Sequence, residues 1–135
     1  MQSITIINRS NRMLAYKPGD TFGLLQDWPF ENPDSNYLIL SGTPKASGRI
    51  DTGGSGDITR SGIWYCTKGI FECTEQGDEL MNILSGRCRL TNQVTGQVSD
   101  LVIGDSLFVH DGSRIKWEII EDVTKVFFGC KSAGF

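Results

Sequence analysis

Short hydrophobic runs, separated by polar turns that contain glycine, recur along most of the chain. The runs are rich in Ile, Val, Phe and Thr, a composition typical of β-strands. No window keeps a period near 3.6 residues, so any helix is expected to be a single turn. Many short strands at regular spacing predict a sandwich or a barrel, and they argue against a parallel α/β sheet.

The predicted strands lie mainly after residue 35. In chain order they are residues 3–7, 36–41, 62–67, 70–74, 79–84, 87–91, 97–103, 106–109, 115–120 and 123–128. A polar turn at residues 92–96 joins two of them into a predicted hairpin. The segment 16–34 carries Pro18, Pro29 and Pro33, and it is expected to form an irregular arm across the barrel or across a neighbouring chain.

The most evident boundary in the sequence falls near Asp57, after a flexible Gly-Gly-Ser-Gly stretch at residues 53–56. Residues 1–57 are predicted to form N-terminal strands and the arm, packed on the barrel. Residues 58–131 are predicted to form the barrel core. Both parts are expected to belong to one structural domain, because 135 residues and 14.9 kDa suit a single core.

Composition narrows the possible classes of function. Hydrophobic residues make up 39% of the chain and charged residues 21%, which fits a folded domain better than a membrane-spanning or disordered one. The net charge of -3 argues against a nucleic-acid partner, since proteins that bind the phosphate backbone normally carry basic surfaces. The first eight residues are too few and too polar for a signal-peptide core, so the protein is expected in the cytoplasm, with no membrane partner.

Four cysteines, Cys66, Cys73, Cys88 and Cys130, do not have the spacing of a zinc module, and only one histidine is available to join them. Buried, reduced thiols are the expected state in a cytoplasmic protein. The even number of cysteines leaves a disulfide open, because the sequence alone cannot decide it.

A set of short motifs lies in a fixed order along the chain. They are Gly-Ile-Trp-Tyr-Cys-Thr-Lys-Gly at residues 62–69, Glu79 with Gly86, Gly104-Asp105, His110-Asp111-Gly112, Trp117-Glu118 and Lys125, preceded by Gly42-Thr43-Pro44-Lys45-Ala46-Ser47-Gly48-Arg49. In this order the motifs resemble the cupin superfamily, and more narrowly the subfamily named after ureidoglycine aminohydrolase, which is similar to the ethanolamine-utilisation cupins. The resemblance implies an all-β, single-domain cupin barrel (a double-stranded β-helix or jelly roll) with extra N-terminal strands. Cupins of this subfamily are commonly dimers, so a homodimer is expected.

The resemblance also raises the question of a metal, because metal-binding cupins supply histidines and a glutamate from these motifs. The positions that carry histidines in the first motif of metal-binding cupins correspond here to positions among residues 72–75. The histidine position of the second motif corresponds to Ile115, an aliphatic residue. Only Glu79 remains of the expected ligand set, so neither a metal nor another cofactor is predicted. An improvised zinc or iron site at Glu72, Cys73 and Glu79 is the alternative that the residue types leave open.

Two functions from different classes fit these residues. One is a small-molecule enzyme that works without a metal and transfers protons with carboxylates inside the barrel. The alternative is a non-catalytic binding or accessory barrel that has lost its metal site. A metal enzyme of the ureidoglycine aminohydrolase type is a third possibility, and it would need ligands that these motifs lack.

The candidate site residues come from the same motifs. The predicted catalytic residues are Glu79 and Glu72, and the predicted substrate-binding residues are Trp64, Trp117, Lys125 and Cys66. Each of them also has a purely structural interpretation. Glu79 could be an ion-pair partner of Lys125 or of Arg89, and the two tryptophans could belong to the core.

Overall fold

The computed structural model describes residues 12–135, and every helix or strand in this part of the chain is a β-strand. Its nine strands are β1 (Gln26–Asp27), β2 (Leu38–Gly42), β3 (Ala46–Gly53), β4 (Thr59–Cys66), β5 (Gly69–Thr74), β6 (Asp78–Asn92), β7 (Val98–Val102), β8 (Ser106–Val109) and β9 (Arg114–Cys130). Residues 12–135 contain no helix that is long and apolar enough to cross a membrane. The predicted strand at residues 3–7 lies outside the described residues.

The strands form one curled antiparallel sheet with two halves. The first half has the order β1-β3-β4-β9-β6-β8, to which β9 contributes residues 123–130 and β6 residues 78–85. The second half has the order β2-β5-β9-β6-β7, to which β9 contributes residues 114–121 and β6 residues 87–92. Two halves that share their long strands form the all-β jelly-roll barrel expected from the sequence.

The strands β6 and β9 serve both halves because they are long and bend midway. They span 15 and 17 residues, and their mutual register shifts three times between Ile83 and Cys88. Such bulges bend a strand and increase its twist. At the bend Gly86 takes a φ of 80°, and a Cβ there would lie 2.0 Å from the carbonyl oxygen of Asp122. Only glycine therefore permits this close approach of the two strands.

The inward faces of both halves meet in one core. Along β5, Gly69, Phe71 and Cys73 are buried while the residues between them keep partial exposure, as the two-residue period of a strand requires. The core also contains Met81, Ile83, Cys88, Leu90, Leu101, Val109, Ile115, Trp117, Ile119 and Val123. Each large apolar side chain buried there contributes roughly 1.5–3 kcal/mol relative to an exposed position.

The proline-rich arm packs on its own barrel. Trp28 lies over Gly48 of β3, where an added Cβ would lie 2.1 Å from the indole ring. The ring centre of Phe30 lies 4.5 Å from that of Phe71 and 4.6 Å from that of Tyr37. The short strand β1, inside the arm, pairs with β3. Aromatic contacts and strand pairing together fix the arm against the barrel.

The hydrophobic pattern predicts most strands, with two kinds of error. The hairpin of β6 and β7 and the strand β8 are confirmed. The strands predicted at 79–84 and 87–91 are one strand, β6, and those predicted at 115–120 and 123–128 are one strand, β9. Bulges interrupt the pattern there without ending the pairing. The pattern misses β3 because its sequence, ASGRIDTG, is largely polar and forms a strand by pairing with β4.

We expect Gly86→Ala to destabilise the protein far more than Gly96→Ala. The two glycines have similar φ values, 80° and 78°, so both substitutions carry a similar backbone strain of about 1–2 kcal/mol. Only Gly86 also lacks room for the Cβ, whereas nothing lies within 4 Å of that position at Gly96. Urea unfolding should therefore show a loss at Gly86 that is larger by about 2 kcal/mol or more. Equal losses would contradict the close approach of β6 and β9.

Candidate functional site

A cavity of about 650 Å³ opens to solvent between the arm, the inner faces of β4 and β9, and the turn from β5 to β6. Its lining includes the aromatic side chains of Phe30, Tyr37, Trp64, Phe71 and Trp117 and the charged side chains of Arg60, Glu75, Glu79 and Lys125. Both the volume and the mixture of an apolar wall with a few polar groups are typical of small-molecule pockets.

Lys125 carries a positive charge inside the barrel. Its side chain is only 6% exposed, and Nζ donates a hydrogen bond of 2.5 Å to Oε2 of Glu79. The same nitrogen lies 4.7 Å from the ring centres of both Trp64 and Trp117, within cation–π range. Burial alone would lower the pKa of Lys125, but attraction to Glu79 and Glu75 and the hydrogen bond raise it above its ordinary value. The ammonium therefore stays charged.

The register of the sheet brings these groups together. Lys125 pairs directly with Trp64 across β9 and β4, which places both side chains on the same face. Glu79 enters from β6, on the other side of β9, opposite Gly129. On the inner face of the sheet the Glu79 carboxylate accepts the hydrogen bond from the ammonium.

Glu75 is a second carboxylate in the cavity wall, in the turn between β5 and β6. Its N–H donates to the carbonyl of Ser113 and its carbonyl accepts from the N–H of Gly112, so the turn is fixed. Burial raises the pKa of Glu75 to about 7, and the charge of Glu79 adds to the rise, while Lys125 opposes it. Near neutral pH this carboxyl gains and loses its proton readily, as a general acid or base must.

The cysteines near the cavity remain neutral thiols. Burial raises the pKa of Cys66 to about 12, and burial together with the nearby Glu75 raises the pKa of Cys73 well above its ordinary value. Because the thiolate is the nucleophile and the metal ligand, both residues have packing roles in this arrangement. None of the four cysteines forms a disulfide within the described part of the chain.

The structure brings four of the six predicted site residues to the cavity. These are Glu79, Trp64, Trp117 and Lys125. Glu72 lies on the opposite face of β5 from Phe71 and Cys73. Its carboxylate pairs with Nη2 of Arg114 at 3.3 Å and accepts a hydrogen bond from Gln93 at 2.9 Å. Cys66 is fully buried in the core and does not line the cavity.

Four charged residues of the cavity are absent from the site predicted by sequence: Glu75, Arg60, and the exposed Asp27 and Glu31 of the arm. Strand alternation is a signal for Arg60, which lies on β4, but not for Glu75, which lies in the turn after β5. Glu75 follows Phe71 and Cys73 at even spacing, and Arg60 precedes Trp64 by four residues. Even spacing on an extended chain keeps side chains on one face, so Arg60 points inward with Trp64, whereas the turn itself brings Glu75 to the cavity.

Residues 53–127, more than half of the chain, match the family model of the EutQ-like cupin domain. The chain belongs to this cupin family. No curated protein matches it. Similar solved structures include the EutQ protein of Clostridium difficile, at 13% identity and a TM-score of 0.57, which aligns over 67% of this cupin and 71% of that chain. A cupin-2 domain protein of Shewanella frigidimarina aligns at 15% identity and a TM-score of 0.51, over 63% and 80% of the two chains.

A protein of unknown function from Pseudomonas syringae, in the DUF861 family, shares 25% identity with this cupin at a TM-score of 0.62. The alignment covers 81% of this cupin and 45% of the Pseudomonas chain, so this cupin spans less than half the length of that relative. The neighbours of lower identity share the fold with this cupin. They carry no information on its substrate.

The residues at the centre of this cupin do not fit a divalent metal. Lys125 places an ammonium against Glu79, the carboxylate that the cupin resemblance assigns to a metal. Cys73, one of the residues 72–75 among which the first-motif histidine positions fall, and Ile115, at the histidine position of the second motif, face each other as a cross-strand pair in the core. An aliphatic side chain cannot bind a metal, and Cys73 would have to lose a proton that burial favours. The alternative zinc or iron site does not assemble, because Glu72 points to the other face. Within residues 12–135, no group of three or more His, Cys, Asp and Glu side chains is placed to hold a metal ion.

Glu75→Gln is expected to remove a pH-dependent loss of stability. The pKa of Glu75 is about 7 in the folded protein and 4.5 ordinarily, so between these pH values the folded state holds a proton that the unfolded state has lost. The free energy of unfolding must then fall as the pH rises through this window, by an amount on the order of 3 kcal/mol. Urea unfolding at pH 5 and pH 8 should show the variant gaining stability over the wild type only at pH 8. Glu72→Gln is the control, and identical pH profiles for wild type and Glu75→Gln would contradict the assignment.

Proposed function

We propose that this cupin binds a small molecule in the cavity and catalyses proton transfer on it without a metal, using the lumen carboxylates Glu75 and Glu79. The observation that carries the proposal is a carboxyl of pKa about 7, Glu75, placed with a fixed ammonium, Lys125, in the wall of one cavity. Perturbed titratable groups that line a cleft are typical of active sites. The proposal keeps Glu79 from the sequence-based prediction and replaces Glu72 by Glu75.

The reaction class that suits these groups is proton abstraction from a carbon beside a carbonyl. The ionised carboxylate of Glu75 accepts the proton, and the electron pair of the broken C–H bond moves into the carbonyl to form an enolate oxyanion. The ammonium of Lys125, held in position by Glu79, stabilises that oxyanion by a charge-assisted hydrogen bond. Return of the proton from Glu75 to the same or a neighbouring carbon gives an isomerised product and restores the carboxylate.

The aromatic wall supplies substrate contacts in this proposal. The ring centres of Trp64 and Trp117 lie 5.1 Å apart with an angle of 50° between the planes, so together they form a concave apolar surface beside Lys125. Such a surface binds the apolar face of a small molecule and keeps water from the reacting carbon. Both tryptophans thereby have the substrate-binding role expected from the motifs.

A non-catalytic binding barrel is the second candidate. It is favoured by the close contact between Glu79 and Lys125, because a carboxylate in a buried ion pair often serves the fold alone. In that case the cavity keeps its ligand and Glu75 performs no chemistry. The finer resemblance to the ureidoglycine aminohydrolase subfamily stays a prediction.

Deuterium incorporation at carbon distinguishes the two candidates. The full chain is incubated in D₂O with small aldoses, ketoses, 2-keto acids and 2-hydroxy acids, and the labelling is followed by NMR. The wild type should label at least one compound, and Glu75→Gln should lower that rate by about 100-fold or more. Glu72→Gln, which changes a carboxylate outside the cavity, is the matched control and should keep the wild-type rate.

Each other outcome has a definite meaning once circular dichroism shows that the variants are folded. Loss of labelling in Glu72→Gln together with its retention in Glu75→Gln would restore the sequence-based assignment of Glu72. Binding of a compound by calorimetry, with no labelling of any compound by wild type, would favour the non-catalytic barrel.

The homodimer expected from the sequence also stays a prediction. The edge strand β2 offers a surface for a second copy, because Leu38, Ile39 and Leu40 are each about half exposed and no strand within residues 12–135 pairs with the outer edge of β2. Light scattering coupled to size-exclusion chromatography should give twice the chain mass of 14.9 kDa. The mass of a single chain at micromolar concentration would contradict the prediction.

A further inference from the structure

Arg60 is a second cation in the cavity wall, and no carboxylate within residues 12–135 forms an ion pair with it. Its guanidinium carbon lies 4.0 Å from the ring centre of Phe135, which also lines the cavity. That ring is seated against Gly129 and Gly77, where an added Cβ would lie 3.1 Å and 3.0 Å from it. The guanidinium therefore lies within cation–π range of a ring that is packed against the sheet, and no carboxylate of the described residues pairs with its N–H groups.

The sheet register places Arg60 across the cavity wall from the proton-transfer groups. Arg60 and Glu79 both pair with Gly129, from β4 and from β6 respectively, so they flank a position without a side chain. Two strand spacings, about 10 Å, separate their backbones. Lys125 lies four residues from Gly129, or about 13 Å along β9. Arg60 and Lys125 both have long side chains, so their charged groups can lie closer together than their backbones. Arg60 and Lys125 line the same cavity, so a ligand held by one cation lies in the space that the other also borders.

The charges around Arg60 leave it without a full counter-ion. Glu79 is engaged by Lys125, and burial together with the charge of Glu79 raises the pKa of Glu75, which weakens it as a counter-ion. Burial lowers the pKa of Arg60, and attraction to Glu79 and Glu75 offsets this only in part. A bound anion would relieve the desolvation of the guanidinium.

Two further acidic residues, Asp27 and Glu31, line the cavity from the arm. Both are exposed, so water and salt screen their charges. Repulsion from the arm is consequently weak compared with the attraction of the half-buried guanidinium.

We propose that Arg60 binds the carboxylate of the substrate and makes the cavity specific for short carboxylic acids. The inference rests on the proposed function of the same cavity. A guanidinium and a carboxylate match in two parallel charge-assisted hydrogen bonds, which fix the orientation of the ligand as well as its position. With its carboxylate at Arg60, a short 2-keto or 2-hydroxy acid extends toward Lys125 and Glu75.

Isothermal titration calorimetry with matched acids and amides tests this role. The probes are lactate, 2-hydroxybutyrate and 2-ketobutyrate, each compared with its neutral primary amide on the full chain. The wild type should bind the acids about tenfold more tightly than the amides or better, and in Arg60→Gln the two affinities should become equal. Arg89→Gln, at an exposed arginine paired with Asp100, should leave the ratio unchanged.

Two milder variants keep the test valid if Arg60→Gln fails to fold. Arg60→Lys keeps the charge but cannot donate two parallel hydrogen bonds to a carboxylate. Its ratio of acid affinity to amide affinity should therefore lie between those of the wild type and Arg60→Gln. Phe135→Leu removes the stacked ring and should lower the ratio while Arg60 keeps its charge.

Equal binding of acids and amides by the wild type, or no acid binding, would overturn the role of Arg60. An unchanged ratio in a folded Arg60→Gln variant, or in Arg60→Lys and Phe135→Leu together, would do the same. The proposed proton transfer is judged separately, by deuterium labelling of any compound in the set, acids included. An acid preference that depends on Arg60, found in a protein that labels no compound, would support the inference and contradict the catalysis.

Discussion

An ammonium enclosed in a barrel is stable only where other groups replace the water it has lost, and this requirement organises the interior of the molecule. Lys125 obtains a counter-charge from Glu79 and two aromatic faces from Trp64 and Trp117. These partners come from β4, β6 and β9, so the charge is satisfied only when both neighbours of β9 are in register. A slip of one residue would turn Glu79 or Trp64 to the outside and leave the ammonium without its partner.

The same ammonium explains why the two carboxylates of the cavity differ. Glu79 holds the close ion pair with Lys125, while Glu75 is fixed by its turn and faces the charge of Glu79 as well as that of the ammonium. Burial and the neighbouring carboxylate together oppose ionisation of Glu75, which brings its pKa close to 7. One carboxylate thus serves as a counter-ion and the other titrates near neutral pH, a separation of roles set by environment.

Sequence motifs identify the partners of the ammonium because the order of the motifs determines which strands become neighbours. They cannot separate Glu72 from Glu75, since both fall in the same motif and only the inward burial of Phe71 and Cys73 shows which one faces the cavity. Arg60 lies in a polar stretch before the first motif, and its place in the wall depends on pairing with Gly129, some seventy positions later. Long-range pairing of this kind also produces β3, whose own sequence has little strand character.

A fixed ammonium and a metal ion stabilise negative charge differently, and the difference limits what the cavity can catalyse. A divalent metal accepts lone pairs and polarises a bound carbonyl, whereas Lys125 supplies hydrogen bonds and one charge that it already shares with Glu79. It can therefore assist a single oxyanion that forms beside it, which is the demand of enolisation. If Lys125 also had to bind the carboxylate of the substrate, its ammonium would be less able to stabilise the enolate oxyanion. Arg60, placed at the other end of the same wall, allows binding and chemistry to use separate cations.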